Sequence, residues 1–187
     1  MKIVTSDQMK FIEARSEAAG VRMDTLMENA GLVIATAARK KIEGFIQRKF
    51  TGQPILVLVG PGNNGGDGLV TARHLFQWFA QPTVYQLRTR PEPDAKLDNI
   101  RSLGMPIIDS ASDANLSLLQ DCLNNTRMVI DALLGTGVNR PLEGMIKAVL
   151  EEVRLAKIRR PDMLILAADV PSGMNADTGE VEASTAP

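Results

Sequence analysis

Three short stretches of this chain carry side chains able to bind or move charge, and each follows an aliphatic run. The first is Gly60-Pro61-Gly62-Asn63-Asn64-Gly65-Gly66-Asp67-Gly68, with five glycines in nine residues. The second is Asp131, followed by Ala132-Leu133-Leu134-Gly135-Thr136-Gly137-Val138-Asn139-Arg140-Pro141. The third is Asp169-Val170-Pro171-Ser172-Gly173. A glycine turn that opens a helix brings backbone N–H groups and a helix N-terminus close to a phosphate. A carboxylate that ends a buried strand is costly to desolvate unless it is paired, hydrogen-bonded or bound to a cation. Two such residues, Asp131 and Asp169, with Asn64 on the third loop, form an oxygen-rich cluster.

Spacing alone matches Gly60-x-Gly62-x-x-Gly65 to a dinucleotide fingerprint, which is a weak pattern by itself. The next predicted strand is followed by Arg88 and Arg90, where a nicotinamide dehydrogenase would carry an acid for a ribose hydroxyl. No Gly-Lys-Ser/Thr follows the glycines, so this is not a Walker A loop. Turn chemistry is the plainer account of the cluster, because Asn and Asp tolerate left-handed backbone and cap helices. Turns rarely use five glycines together.

The elements that must position these loops are legible in the apolar pattern. Thr5-x-x-Gln8 and Thr25-x-x-Glu28 are capping-box patterns, predicting helices that start near residues 6 and 26. Gly20 ends the first. The second carries Met27, Ala30, Ile34, Ala38, Ile42 and Phe45 on one face, a stripe that must be buried. Residues 47–53 read as a connecting loop. From Pro54 onward, strands are predicted near 55–59, 83–87, 105–108, 127–131 and 163–168. Helices are predicted near 66–80, 94–103, 112–123 and 142–158. Aliphatic strands alternating with helices imply an α/β fold whose mainly parallel sheet is covered on both faces, with right-handed crossovers. Ligands bind beyond the carboxyl ends of such strands, so the three loops converge on one rim.

Composition narrows the function classes. The chain has 187 residues, 44% hydrophobic and 23% charged, with a formal net charge of −1. That is the size of one domain with a substantial core, and no repeat or linker divides it. Scattered basic residues favour neither nucleic acid nor an anionic membrane. Lys157 to Arg160 read as a solvated helix end. Cys122 and His74 are each the only one of their kind. An intramolecular disulfide, a cysteine zinc site, a multi-histidine metal site and Ser/His/Asp chemistry are thereby excluded. His74 reads as a structural residue on the helix after the glycines. No apolar leader or spanning segment is seen, and a cytoplasmic setting is the expectation.

Taken together, the motifs resemble the NAD(P)H-hydrate epimerase family, the YjeF N-terminal domain. The matching pieces are Leu26-Met27-Glu28-Asn29-Ala30-Gly31, Gly62 to Gly68, Asp131 to Gly137, and Asp169 to Gly173 followed by Asp177-Thr178-Gly179. They occur in family order over nearly the whole chain. The resemblance implies a Rossmann-like three-layer sandwich with two N-terminal helices. It also implies an isomerase that interconverts the R and S forms of NADHX and NADPHX, the C6-hydrated cofactors, as a step in nicotinamide nucleotide repair. A separate or fused ADP- or ATP-dependent NAD(P)H-hydrate dehydratase then restores the S form.

Carried over by residue, Asn63, Asn64, Gly65, Gly66 and Asp67 would line the substrate's phosphate-bearing region. Gly135, Thr136, Gly137, Val138, Asn139, Arg140 and Pro141 would form a second substrate loop. Asp169 would reach the hydrated ring. One potassium ion per subunit would be held by Asn64, Asp131 and Ser172, whose oxygens are hard donors suited to a hard cation. Epimerisation at C6 needs a proton moved at the hydroxyl, and His74 and Cys122 lie away from the loops. Asp169 is therefore the catalytic candidate, with capping of the Pro171-Ser172-Gly173 turn as its alternative role. Asn139 stands where some members have a lysine, so no cationic catalyst is assigned there. Family domains continue with further strands, so residues 1–187 read as one domain that either lacks its C-terminal strands or begins a bifunctional protein. Family members commonly dimerise, and the long Met27–Phe45 stripe leaves room for a homodimer. Two other readings compete: a non-catalytic scaffold or protein-binding domain, which has no need of the polar rim, and an ordinary oxidoreductase, disfavoured by Arg88 and Arg90.

Overall fold

In the computed structural model, which describes residues 4–45, 49–90, 92–136 and 141–185, the strands form one parallel sheet. They are β1 (Pro54–Val59), β2 (Gln81–Gln86), β3 (Ile107–Asp109), β4 (Met128–Ala132) and β5 (Leu164–Ala167). Their order across the sheet is β3-β2-β1-β4-β5. The helices are α1 (Ser6–Ala18), α2 (Met23–Phe45), α3 (Asn63–Gln77), α4 (Ala95–Ser102), α5 (Ser117–Asn125) and α6 (Gly144–Arg159).

β1 lies at the centre and alternates its side chains between two cores. Ile55, Val57 and Val59 pack with Leu69, Ala72 and Leu75 of α3 and Ile100 of α4. Leu56 and Leu58 face the other way, onto Leu119 and Leu123 of α5 and Val149, Leu150 and Val153 of α6. A strand covered on both faces has no place for polar alternation, which is why β1 is aliphatic throughout. The expected α/β three-layer architecture follows. Successive strands run outward from β1 to β3, then resume on the other side of β1 with β4 and β5. That reversal opens a crevice beyond the carboxyl ends of β1 and β4.

At the N-terminus one of the two capping boxes forms. Thr5 Oγ1 accepts from the Gln8 N–H at 3.2 Å, and Gln8 Oε1 accepts from the Thr5 N–H at 2.9 Å. The second does not: α2 begins at Met23, so Thr25 lies inside its first turn. Glu28 turns instead to α3, with Arg73 Nη2 at 2.6 Å and His74 Nε2 at 2.8 Å. A guanidinium competes well with a lone backbone N–H for a carboxylate. The α2 stripe packs on α3 rather than on the sheet. Gly31 permits the close crossing, since a Cβ there would stand 2.5 Å from Val70 Cγ1. Phe45's side chain, the last of the stripe, and residues 47 and 48 of the expected loop lie outside the described residues.

Other boundaries shift for local reasons. Strand β2 starts at Gln81 and β3 at Ile107, each two residues from its expected start. A 3₁₀ turn at Ser110–Ser112 delays α5 to Ser117. Asp113, buried behind it, accepts the N–H groups of Leu118 and Leu119 at 3.0 Å each and so sets where that helix begins. Helix α3, by contrast, starts at Asn63, three residues early.

Candidate active site

Because α3 starts at Asn63, most of the glycine cluster is helix. Gly60, Gly62, Gly65, Gly66 and Gly68 all keep φ outside the left-handed region, so they do not serve as turn residues. Close approach explains Gly60, Gly65, Gly66 and Gly68, whereas a Cβ on Gly62 would meet nothing within 4 Å. A Cβ on Gly60 would stand 1.9 Å from Leu133 O, and one on Gly65 would stand 1.9 Å from Gly60 O. A Cβ on Gly68 would stand 2.7 Å from that of Ala132. The glycines thus bring the β1 turn, the first turns of α3 and the β4 loop within van der Waals reach of one another. Gly62, as N-cap, offers no side-chain acceptor. The first N–H groups of α3 have no partner of their own helix, the kind of donors that suit an anion.

Arg90 locks this turn from the β2 side. Its side chain is 8% exposed, with Nε 2.6 Å from Asp94 Oδ2. Its Nη1 donates to Gly60 O at 2.6 Å and to Gly62 O at 3.0 Å. Burial raises the Asp94 carboxyl, but the Arg90 bond and the N–H groups of Leu97 and Lys96 outweigh it and hold the group below its ordinary range. Arg90, read from the sequence only as the absence of a ribose-binding acid, is a structural clamp. Its partners are backbone carbonyls, which leave no mark in the sequence.

Asn64, Asp131 and Ser172 come together at the base of the crevice. Asp131 is 6% exposed. Its Oδ1 accepts from Ser172 Oγ at 2.7 Å and from the Leu133 N–H at 3.2 Å, and its Oδ2 accepts the Ser172 N–H at 2.8 Å. Burial drives the carboxyl above its ordinary pKa against these hydrogen bonds. Ser172 Oγ in turn accepts the Leu134 N–H at 2.9 Å, tying the β5 loop to the β4 loop. Asn64 Nδ2 donates to Leu134 O at 2.7 Å. Its Oδ1 is buried with no hydrogen-bond partner among the described residues. An orphaned amide oxygen beside a buried carboxylate and a hydroxyl is the donor set that a monovalent cation would complete.

Asp169 stands at the mouth, exposed, at the end of β5. Its φ of +67° lies in the left-handed region, which a non-glycine residue adopts at a cost and which aims its side chain back over the crevice. The Thr136 N–H donates to its Oδ2 at 3.0 Å. Gly135 passes between Asp169 and Asn64, where a Cβ would stand 2.8 Å from Asp169 Oδ2 and 3.5 Å from Asn64 Cβ. Asp67, one turn into α3, is partly buried, and its pKa is raised to about 6, first by burial and then by the negative charge of Asp169. Two carboxylates therefore share the crevice mouth, a pairing that the sequence separates by a hundred residues.

The family model described as YjeF-related protein N-terminus matches residues 23–186. The chain belongs to that family. A bifunctional NAD(P)H-hydrate repair enzyme of Thermofilum pendens is 34% identical over 97% of this chain and 33% of its own length. An NAD(P)H-hydrate epimerase of Yarrowia lipolytica is 33% identical over 96% of this chain and 68% of that protein. The chain thus spans about a third of the bifunctional relatives and about two thirds of the fungal epimerase. A crystal structure of the yeast protein ynu0, YNL200c, superposes with a TM-score of 0.86 at 25% identity, over 100% of this chain and 77% of that one.

The expected site residues divide by place. Asn64, Asp131, Gly135, Thr136, Asp169 and Ser172 are joined by the contacts above, and Asp67 feels the charge of Asp169. Gly65 and Gly66 are buried packing positions, Gly66 against Met27 Sδ. Asn63 is exposed on the first turn of α3, and Pro141 is exposed at the far wall. Gly137, Val138, Asn139 and Arg140 lie outside the described residues. The Asp177-Thr178-Gly179 match is a turn: Asn175 Oδ1 accepts the N–H groups of Asp177 and Thr178, and Asp177 Oδ1 accepts the Ser6 N–H at 2.9 Å, docking α1. His74 is structural, held against Glu28 and the Trp78 ring.

Proposed function

We propose that this chain epimerises the R and S forms of NADHX and NADPHX. The observation that carries the reading is the carboxylate pair at the mouth, Asp169 held over the crevice by the Thr136 N–H and Asp67 beside it. The hydrated C6 is a hemiaminal carbon bonded to N1 and a hydroxyl. Inverting it breaks one of those bonds and remakes it on the other face, through loss of water to an iminium ion or ring opening to an aldehyde. Both routes move a proton at the C6 hydroxyl, and the first develops positive charge on the ring. Asp169 moves the proton and stabilises that charge. Asp67, its pKa raised to about 6, holds or releases a proton next to it, so the pair can run in either direction. The free N–H groups of α3 orient the pyrophosphate.

Potassium is the cofactor in this reading. Asn64 Oδ1, Asp131 and Ser172 Oγ would hold it, offsetting the desolvation of Asp131. The ion, when bound, supplies a fixed positive charge at the crevice base. The S product would pass to an ADP- or ATP-dependent dehydratase, fused or separate, within a cytoplasmic repair route. A homodimer fits the exposed apolar residues Met9, Phe11 and Ile12 of α1 and Leu32 and Val33 of α2. No helix among the described residues is long and apolar enough to cross a membrane.

The deciding experiment adds purified protein to an R-enriched NADHX mixture and follows both epimers by chromatography. Acceleration over the uncatalysed exchange is expected. Its absence would return the chain to the scaffold reading.

A further inference from the structure

We propose that Arg88 binds the 2′-phosphate of the adenosine ribose and makes NADPHX the preferred substrate; this rests on the epimerase reading. A dinucleotide that places its ring at Asp169 beyond β5 and its pyrophosphate at the start of α3 must run its adenosine toward β2. There a cavity of about 310 Å³ is bounded by Pro61, Leu87, Arg88, Leu134, Leu142 and Ile146. Its apolar walls suit a purine face.

Backbone bonds fix where Arg88 stands. The Leu87 N–H donates to Val59 O at 2.9 Å, and Leu87 O accepts Ser110 Oγ at 2.6 Å. Arg88 is thereby held two residues beyond the carboxyl end of β2, beside the turn that follows β1. In doubly wound sheets this is where an acid holds the ribose 2′-hydroxyl or an arginine accommodates the 2′-phosphate. The two arginines of the segment differ in occupation. Arg90 is buried and spends its donors on Asp94, Gly60 and Gly62. Arg88 is exposed and makes no hydrogen bond or ion pair among the described residues. Its guanidinium fork is matched to a phosphate. Glu143 is the other charged residue that lines the cavity among the described residues. It forms no ion pair with Arg88 among the described residues.

The test separates binding from catalysis. Calorimetry on the wild-type chain compares adenosine 2′,5′-bisphosphate with 5′-AMP, which differ only in the 2′-phosphate. The bisphosphate should bind about tenfold or more tightly, the scale of a charge-assisted hydrogen bond. Arg88→Ala and Arg88→Gln should bring the two ligands within about threefold, and Arg88→Lys should keep part of the preference. In the epimerisation assay the NADPHX-to-NADHX ratio of kcat/KM should fall about tenfold or more in Arg88→Ala. Equal wild-type affinities, no binding of either nucleotide, or a preference that survives Arg88→Ala overturns the assignment. Epimerisation with no 2′-phosphate preference overturns the role of Arg88 alone. A 2′-phosphate preference lost in Arg88→Ala, in a chain that epimerises neither hydrate, supports Arg88 as the phosphate contact and overturns the epimerase reading.

Discussion

Ser172 binds Asp131 twice, its hydroxyl donating to Oδ1 at 2.7 Å and its N–H to Oδ2 at 2.8 Å. The contact joins the ends of β4 and β5, and beside it Asn64 Oδ1 has no hydrogen-bond partner among the described residues. If potassium completes this set, adding KCl should raise the melting temperature more than tetramethylammonium chloride at equal ionic strength. Asn64→Ala and Asp131→Asn should abolish the difference. An equal potassium increment in wild type and Asp131→Asn would remove Asp131 from the ligand set.

Asp169→Asn should fold, because asparagine tolerates the +67° backbone and its amide oxygen can still accept the Thr136 N–H. The amide cannot take a proton. Epimerisation should therefore fall by about 10²-fold or more while nucleotide binding persists. Activity within threefold of wild type would reduce Asp169 to a turn residue.

Asp67 titrates near 6 in the folded chain against 3.8 as its ordinary value. Between those values the native state binds the extra proton, so stability falls as pH rises from about 4 to about 6. Above that window the ionised group carries its full penalty. Asp67→Asn should melt at a higher temperature than wild type at pH 8, and the gap should close below about pH 4. A pH-independent gap would mean that ionisation of Asp67 is not its source.

Removing the Arg90 clamp leaves Asp94 Oδ2 and the carbonyls of Gly60 and Gly62 without the Arg90 donors. Arg90→Ala should cost about 3–5 kcal/mol in urea unfolding, the scale of a broken buried pair. Gly65→Ala should also destabilise, since its Cβ would meet Gly60 O at 1.9 Å. A loss under about 1 kcal/mol for Arg90→Ala would mean the turn holds without it.

Sedimentation at tens of micromolar, a concentration that fills interfaces of ordinary affinity, should show a dimer. Charged substitutions at Phe11 and Ile12, both exposed on α1, should shift it toward monomer. A monomeric wild type would leave that apolar face to another partner.

The alternation of strand and helix was legible in the chain because a doubly covered parallel sheet demands aliphatic runs, and aliphatic runs survive in one dimension. So did the loops that carry Asn64, Asp131, Asp169 and Ser172, since polar residues at strand ends stand out against those runs. The start of α3 did not. Glycines at 60, 65 and 68 read as a turn, and only the closeness of Leu133, Gly60 and Ala132 reveals them as packing positions. Glu28 looked like a cap until α3 brought Arg73 and His74 to it. Arg90 looked like a missing acid until two carbonyls and Asp94 surrounded it. Residue type and period record what a side chain prefers, and they determined the sheet, its two cores and the rim. Which donor meets which acceptor depends on distances closed by the whole fold, and the tertiary structure alone decided those: the Asn64 oxygen and the Arg88 guanidinium without partners among the described residues, and the raised Asp67.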